Sequence, residues 1–225
     1  SISNYYETMK TSSSASSTRK KQEGDYFDSQ ANYSFTLNKL NQNYQPSDGY
    51  KTSFSQSIPL YSDDLTITNA FSYATYHSIF ENQVLGINFL LKSADSLSGD
   101  DIRVSKRLFI PSRRLRGFES GKIGPVDSGD FVGGNYASVL NISSNLPNLF
   151  SQVQNLDFSI FVDTANLWGV DYDSSLDNSK IRSSTGIAID WFTPVGPLNF
   201  SFAQPITKSS SDVTEFFRFD IGTTF

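Results

Sequence analysis

A strict alternation of apolar and polar residues in the C-terminal half is the feature that most constrains the fold of this chain. In TEFFRFDIGTTF, which ends the chain, Phe217, Phe219, Ile221 and Phe225 fall on odd positions, between mostly polar residues. Because successive side chains of a β-strand point to opposite faces, this period of two predicts a strand with one apolar face. The same alternation recurs in residues 156–168, 181–192 and 198–206.

The N-terminal half continues the alternation. Four further segments show it, residues 26–40, 50–60, 65–80 and 84–94. Turn-forming residues such as PSDG at 46–49 and SDD at 62–64 separate them. Residues 97–131 and 170–179 do not alternate. The pattern therefore predicts an all-β chain of about ten antiparallel strands with one long connection.

Alternation is shared by soluble β-sandwiches and membrane β-barrels, so the composition of each face has to separate them. The polar face is mostly Ser, Thr, Asn, Gln and Gly, as a water-filled lumen requires. The apolar face carries aromatic residues near strand ends, as in lipid-facing girdles, namely Tyr50, Phe80, Trp168, Trp191 and Phe225. A last strand that ends on Phe is also typical of outer-membrane barrels. We therefore predict a membrane β-barrel, with a soluble sandwich as the alternative.

Composition excludes several kinds of site. The chain has no cysteine and a single histidine, His77, so it offers no thiolate or histidine-rich metal site. Its net charge of −5 argues against nucleic acid as the default partner. We expect no metal, no cofactor and no enzyme activity. The first residues have no basic segment followed by an apolar core, and no initiator Met, so we expect a piece of a longer protein.

The long connection, residues 97–131, contains the Arg-rich sequence RRLRGFESGKIGP. If Ile160 and Val162 face lipid, Asp163 faces the lumen, where an unpaired carboxylate is costly. A guanidinium binds a carboxylate through two parallel hydrogen bonds. We therefore predict that this connection folds back into the barrel and that Arg116 pairs with Asp163.

The two residues after Arg116 have predicted roles as well. Gly117 permits a tight turn of the backbone. Phe118 is expected to pack against the wall of the lumen, with Phe161 as its candidate partner.

Six motifs, in order, are similar to a known family. The chain resembles the C-terminal half of the BamA family of outer-membrane protein assembly factors, also described as the bacterial surface antigen domain. The similarity runs from about residue 46 to residue 225. The motifs are LRGF (115–118), IGP (123–125), VGGN (132–135), FVDTANLW (161–168), TPVGPLNFSFAQPI (193–206) and the terminal FRFDIGTTF.

The resemblance implies the C-terminal part of a 16-stranded barrel in the cell outer membrane, preceded by POTRA domains that are absent from this chain. It also implies that RGF lies at the tip of the sixth extracellular loop, inside the lumen, and that the family's Arg–Asp contact falls on Arg116 and Asp163. Family members often carry a lumenal Glu where this chain has Ser143. The pairing is therefore expected to depend more on Asp163.

The function that the resemblance implies is the folding and insertion of β-barrel clients through a lateral gate between the first and last strands. Gly222 is a candidate gate element in the last strand, together with Phe225; the alternative is that Gly222 only makes room for a bulky neighbour. The expected partners are unfolded outer-membrane proteins, accessory assembly lipoproteins, and membrane lipids with lipopolysaccharide. The alternative functions are a two-partner-secretion type of transporter and a passive porin-like channel.

Overall fold

Ten antiparallel strands form one sheet in the computed structural model, which describes residues 1–146, 155–177, 179–194 and 196–222. Their number and direction confirm the prediction. The strands are β1 (Ile2–Met9), β2 (Gly24–Asn38), β3 (Gly49–Ser62), β4 (Thr66–Phe80), β5 (Gln83–Ser96), β8 (Tyr136–Asn145), β9 (Leu156–Trp168), β10 (Arg182–Thr193), β11 (Gly196–Thr207) and β12 (Phe217–Ile221), with a separate two-stranded pair, β6 (Val126–Asp127) and β7 (Asp130–Phe131), between β5 and β8.

Each strand of the sheet pairs with its neighbours along the chain, in the order β1-β2-β3-β4-β5-β8-β9-β10-β11-β12. Among the described residues, β1 and β12 each have a strand on one side only, so the ten strands form an open, curved sheet.

Helical structure within the described ranges is limited to α1 (Ser17–Lys21) and two short 3₁₀ turns (Val104–Lys106 and Ser174–Leu176). In this part of the chain no helix combines the length and the apolar character that a membrane-spanning helix needs.

The two ends of the sheet differ in the length of their connections. One end carries long connections, residues 10–23, 97–135, 169–181 and 208–216, together with the short one at 63–65. The other end carries the two-residue turn between β4 and β5 and the ten-residue connection 39–48. In outer-membrane barrels the long loops are extracellular and the short turns periplasmic. We assign the two ends accordingly.

The two faces of the sheet differ as the alternation predicts. On β9, Ile160 and Val162 are 46% and 42% exposed, whereas Phe161 and Asp163 between and beside them are buried. The exposed row is thus the apolar one. In a soluble sandwich the apolar rows of two sheets pack against each other, so this arrangement confirms the predicted membrane barrel, whose outer apolar band faces lipid.

The residues 97–131, called here the inward loop, cover the concave face. Their apolar side chains form a buried cluster with the walls of β8 and β9. The cluster consists of Ile110, Leu115, Phe118 and Ile123 from the loop and Ala137, Val139, Ala165 and Leu167 from the strands. The loop is therefore packed into the lumen through a dry contact, as burial of apolar surface favours.

Substitution of neighbouring residues on β9 tests the assignment of the faces. In the full-length protein that contains this chain, Ile160→Arg should lower the free energy of unfolding by up to about 2–4 kcal/mol, because it places a cation in lipid. Ser159→Arg, which points into a cavity on the concave face, should cost much less. Urea unfolding in lipid vesicles measures both, and equal losses would contradict the assignment.

Candidate functional site

Arg116 and Asp163 form a buried, bidentate ion pair in the structure. Arg116 Nε donates to Asp163 Oδ2 at 2.7 Å, and Arg116 Nη2 donates to Asp163 Oδ1 at 2.8 Å. The backbone N–H of Arg116 also donates to Oδ2, at 3.1 Å. Asp163 is completely buried, and the Arg116 side chain is 16% exposed. A guanidinium that meets a carboxylate through two parallel hydrogen bonds is the strong form of this contact.

Two polar side chains on the neighbouring strands hold this ion pair in place. Asn141 on β8 and Ser184 on β10 lie directly opposite Asp163 in the two ladders. Asn141 Nδ2 donates to Asp163 Oδ1 and to Arg114 O, both at 2.8 Å, and Ser184 Oγ donates to the carbonyl oxygen of Arg116. With the bond from Asn141, the carboxylate of Asp163 accepts four hydrogen bonds, which fills its lone-pair sites.

The position opposite Asp163 is therefore occupied by Asn141 and not by Ser143. Ser143 lies one inward-facing residue further along β8, opposite Phe161. The amide of Asn141 donates a hydrogen bond to Asp163, so it stabilises the charged carboxylate, whereas a second carboxylate would compete with it for Arg116.

Phe161 contacts Arg116 from the wall of the lumen. The guanidinium carbon of Arg116 lies 3.4 Å from the centroid of the Phe161 ring, the geometry of a cation–π contact. Phe161 forms a small buried cluster with Ala188 and Ala203. Phe118 lies instead in the larger cluster with Leu167, so Phe161 packs on the arginine and not in the cluster of Phe118.

Gly117 occupies a position that no other residue fits without strain. Its φ is +90°, in the left-handed region that favours glycine. A Cβ on this residue would lie 3.2 Å from Ala203 Cβ and 3.4 Å from Ser184 Cβ. The close approach of the loop to β10 and β11 thus brings the backbone of Arg116 within reach of Ser184.

The tip of the inward loop also pairs with the connection between β11 and β12. Glu119 N donates to Val213 O at 3.0 Å, and Glu215 N donates to Gly117 O at 3.1 Å. Phe118 and Thr214 form an antiparallel bridge between these bonds. The tip is therefore attached to the connection that leads directly into the last strand.

A second ion cluster fixes the beginning of the inward loop to the opposite wall. Asp28 on β2 is completely buried and accepts from Arg103 Nη2 at 2.7 Å and from Lys106 Nζ at 2.5 Å. Arg103 lies over the ring of Tyr26, 3.9 Å from its centroid, and Asp64 lies 3.4 Å from Arg103 Nε. A buried carboxylate that binds two cations constrains the loop strongly, because either cation alone in the interior would be costly.

The charge of Arg103 is well secured in this cluster. Burial would lower the pKa of its guanidinium. The hydrogen bond from Arg103 to Asp28 and the charges of Asp28, Asp64 and Glu7 outweigh burial and raise the pKa above its usual value. The contact with Asp28 therefore persists at any physiological pH.

Two further buried arginines hold the extracellular connections together. Arg107 pairs with Asp171 of the connection between β9 and β10, whose other carboxylate oxygen accepts from Ile102 N at 2.7 Å. Arg182 at the start of β10 pairs with Asp212 of the connection between β11 and β12, at 3.0 Å, and both side chains are completely buried.

The last strand is described as far as Ile221, and the residues after Gly222 lie outside the described ranges. β12 ends at Ile221, so Gly222 follows the strand instead of lying inside it. Gly222 has a φ of +110°, and no atom of the described residues lies within 4 Å of where its Cβ would be. Phe225 lies outside the described residues.

These observations define a class of protein: a transmembrane β-barrel whose outer face is apolar and whose lumen holds a loop fixed by a buried Arg–Asp pair. The family model of the Omp85 superfamily domain matches residues 1–225. The chain belongs to the Omp85 superfamily, which consists of outer-membrane β-barrel proteins.

Several relatives are similar over most of the chain. The outer membrane protein assembly factor BamA of Neorickettsia risticii is 26% identical over 88% of this chain and 27% of that protein. BamA of Nitratidesulfovibrio vulgaris is 26% identical over 96% of this chain and 28% of that protein. The chain thus spans little more than a quarter of the length of these relatives.

A solved structure is similar in fold as well. The crystal structure of BamA from Haemophilus ducreyi lacking POTRA domains 1–3 superimposes with a TM-score of 0.81 and 26% identity, over 88% of this chain and 42% of that one.

A double-mutant cycle measures the coupling between Arg116 and Asp163. Arg116→Ala leaves a buried carboxylate unpaired and should cost about 3–5 kcal/mol of unfolding free energy in the full-length protein. Asp163→Ala and the double variant complete the cycle, and the coupling energy should be about 1–3 kcal/mol. Urea titration in vesicles provides the values. A coupling of zero would show that the two side chains do not stabilise each other.

Limited trypsin digestion of intact cells tests the second ion cluster. Asp28→Ala should accelerate cleavage within residues 97–131, because Arg103 and Lys106 lose the carboxylate that fixes them. Asp25→Ala is the matched control on the same strand, since Asp25 is exposed and accepts from Thr8 Oγ1, at 2.7 Å. Equal cleavage rates in the Asp28→Ala variant and the wild type would contradict the role of this cluster.

Proposed function

We propose that this chain is the C-terminal barrel part of an outer-membrane protein assembly factor, which folds and inserts β-barrel clients. The observation that carries the proposal is the similarity to assembly factors over 88% and 96% of the chain. The fixed inward loop, with Arg116 paired to Asp163, supports it. We propose no catalytic residue, because strand pairing involves no covalent step.

The gate that we propose lies at the free side of β12. Among the described residues, this strand pairs with β11 through Phe217–Ile221 and Leu198–Phe202, whereas β10 and β11 pair along their whole length. The N–H of Gly222 still donates to Pro197 O at 2.9 Å, and the positive φ of Gly222 departs from strand geometry there. A short, weakly held last strand supports local opening, and its unpaired N–H and C=O groups can then add a client strand by β-augmentation.

The partners follow from this proposal. Unfolded outer-membrane proteins are the clients, and accessory assembly lipoproteins assist the full-length protein. The outward apolar rows contact membrane lipids, with lipopolysaccharide in the outer leaflet. In the full-length protein we propose that POTRA domains precede the barrel and that the ten strands complete a 16-stranded barrel with strands upstream.

Two other functions compete with assembly. A passive porin-like channel needs an open lumen, and the dry packing of the inward loop against β8 and β9 disfavours it. A two-partner-secretion type of transporter is compatible with the same barrel. It differs in what it exports, which is one soluble partner protein instead of many membrane-inserted clients.

Complementation of a depletion strain tests the proposed function. The full-length protein with Arg116→Ala should support much lower levels of folded outer-membrane proteins than the wild type, because the inward loop loses its charge contact with Asp163. Arg113→Ala is the matched control, since Arg113 lies in the same loop and is exposed.

The pattern of loss decides between the candidates. A broad loss of folded outer-membrane barrels with Arg116→Ala, but not with Arg113→Ala, supports assembly. Loss of a single secreted protein with normal barrel levels would indicate secretion. Full complementation by Arg116→Ala, with the variant present at normal levels, would contradict the role of the pair in assembly.

A further inference from the structure

The connection between β2 and β3 is long for the periplasmic end of a barrel. It contains ten residues, 39–48, whereas the turn between β4 and β5 at the same end has two. A two-residue turn is sufficient to join antiparallel strands. The extra residues therefore need an explanation, and we call residues 39–48 the strap.

The strap is a folded segment and not an open loop. Asn41 Nδ2 donates to Ser47 Oγ at 2.8 Å, and Asn41 Oδ1 accepts from the backbone N–H groups of Ser47 and Asp48 at 3.2 and 3.3 Å. Gln42 Nε2 donates to Gln45 O at 2.6 Å. Bonds from a side chain to nearby backbone groups stabilise a compact turn, so the strap has a defined direction.

This direction carries the tip of the strap across the concave side of the sheet. The ring of Tyr44 lies 5.6 Å from the ring of Phe192, at an interplanar angle of 77°, the edge-to-face geometry that aromatic pairs prefer. Phe192 belongs to β10, which lies five strands away from β3 in the sheet. Pro46, although it lies in a surface connection, is buried. The contact thus joins two distant walls of the curved sheet.

A cavity of about 660 Å³ lies between the strap and the wall of the sheet. Residues of the strap line it on one side and inward-facing residues of β8, β9 and β10 on another. Among the lining residues are Gln42, Tyr44 and Pro46 from the strap and Ser143, Asp157 and Asp190 from the wall. The inward loop occupies the extracellular half of the concave face, so the strap bounds the space that remains in the periplasmic half.

Tyr44 meets this wall as a neutral group. Burial, together with the negative charges of Asp190 and Asp157, raises the pKa of its hydroxyl above the usual value. Tyr44 therefore brings no charge to the two carboxylates, and it meets Phe192 through its ring.

We propose that the strap covers the periplasmic side of this cavity and is latched by Tyr44 on Phe192, so that it slows the entry of periplasmic solutes into the cavity until the latch opens. This access barrier goes beyond assembly of clients and does not depend on it. A ring contact of this kind is weaker than the buried ion pairs that hold the inward loop, so the latch opens more readily than the loop.

Cysteine accessibility in the full-length protein tests the barrier. Ser159→Cys places a thiol on the wall of the cavity. A charged, membrane-impermeant maleimide added from the periplasmic side should label it slowly. Adding Tyr44→Ala should raise the labelling rate roughly two- to tenfold, the range that corresponds to the loss of one aromatic pair. Tyr44→Phe, which retains the ring, should label at the rate of the parent.

Two controls keep the test decisive. Glu81→Cys, exposed in the turn between β4 and β5, should label at the same rate with and without Tyr44→Ala. A pair of cysteines at Gln45 and Asp190, which line the same cavity and leave both rings in place, should be joined by a short bismaleimide in isolated outer membranes, whereas a pair at Gln45 and Tyr61 on the outer face should not.

The results that overturn the proposal are specific. Labelling of Ser159→Cys at the same rate in the parent and the Tyr44→Ala variant, with both folded, means that the strap is not a barrier. Absence of a cross-link between positions 45 and 190 means that the strap does not lie against β10. If Tyr44→Ala fails to fold, a shortened strap with Asn-Gly in place of residues 40–47 provides the open form, and unchanged labelling of that variant has the same meaning.

Discussion

The buried carboxylate of Asp163 is the constraint on which the site depends. A charge in the wall of a barrel, without access to water, is stable only if a cation and further hydrogen-bond donors reach it. Arg116 supplies two of the four bonds through its side chain and one through its backbone, and Asn141 supplies the last. The path of the inward loop, including the left-handed turn at Gly117, follows from the need to deliver this arginine.

The inward loop is fixed at its beginning and at its tip, by two carboxylates on different walls. Asp163 on β9 binds the tip, and Asp28 on β2 binds the beginning through Arg103 and Lys106. Between these points, apolar side chains of the loop pack on β8 and β9. The lumen is thus divided into an extracellular half that is filled by protein and a periplasmic half that contains a cavity bounded by the strap.

Much of the fold follows from local sequence, and the distant contacts do not. A period of two predicts the strands and also which side chains share a face. Because side chains alternate along β9, Asp163 lies inside once Ile160 and Val162 lie outside. The choice of Arg116 as its partner came from carboxylate chemistry, and the resemblance to a family implied the same contact. Asn141 was missed because it became a partner only through the register of β8 with β9. The contacts of Asp28 and Tyr44 were not predicted, because their partners lie far along the chain. The sequence PSDG indicates a turn, but it does not indicate the direction in which the connection runs.

The attachment of one loop to two walls also has a mechanical consequence. Uniform widening of the curved sheet would move Asp28 away from Asp163. It would stretch the ion pairs that join each of them to the inward loop, and their electrostatic energy rises steeply with distance in a medium of low polarity. Deformation is therefore softest beyond these contacts, the last of which hold the connection 208–216 to the loop tip and to Arg182, in the five-residue strand β12. The inward loop therefore makes most of the sheet rigid and leaves one edge, at β12, the easiest part to deform.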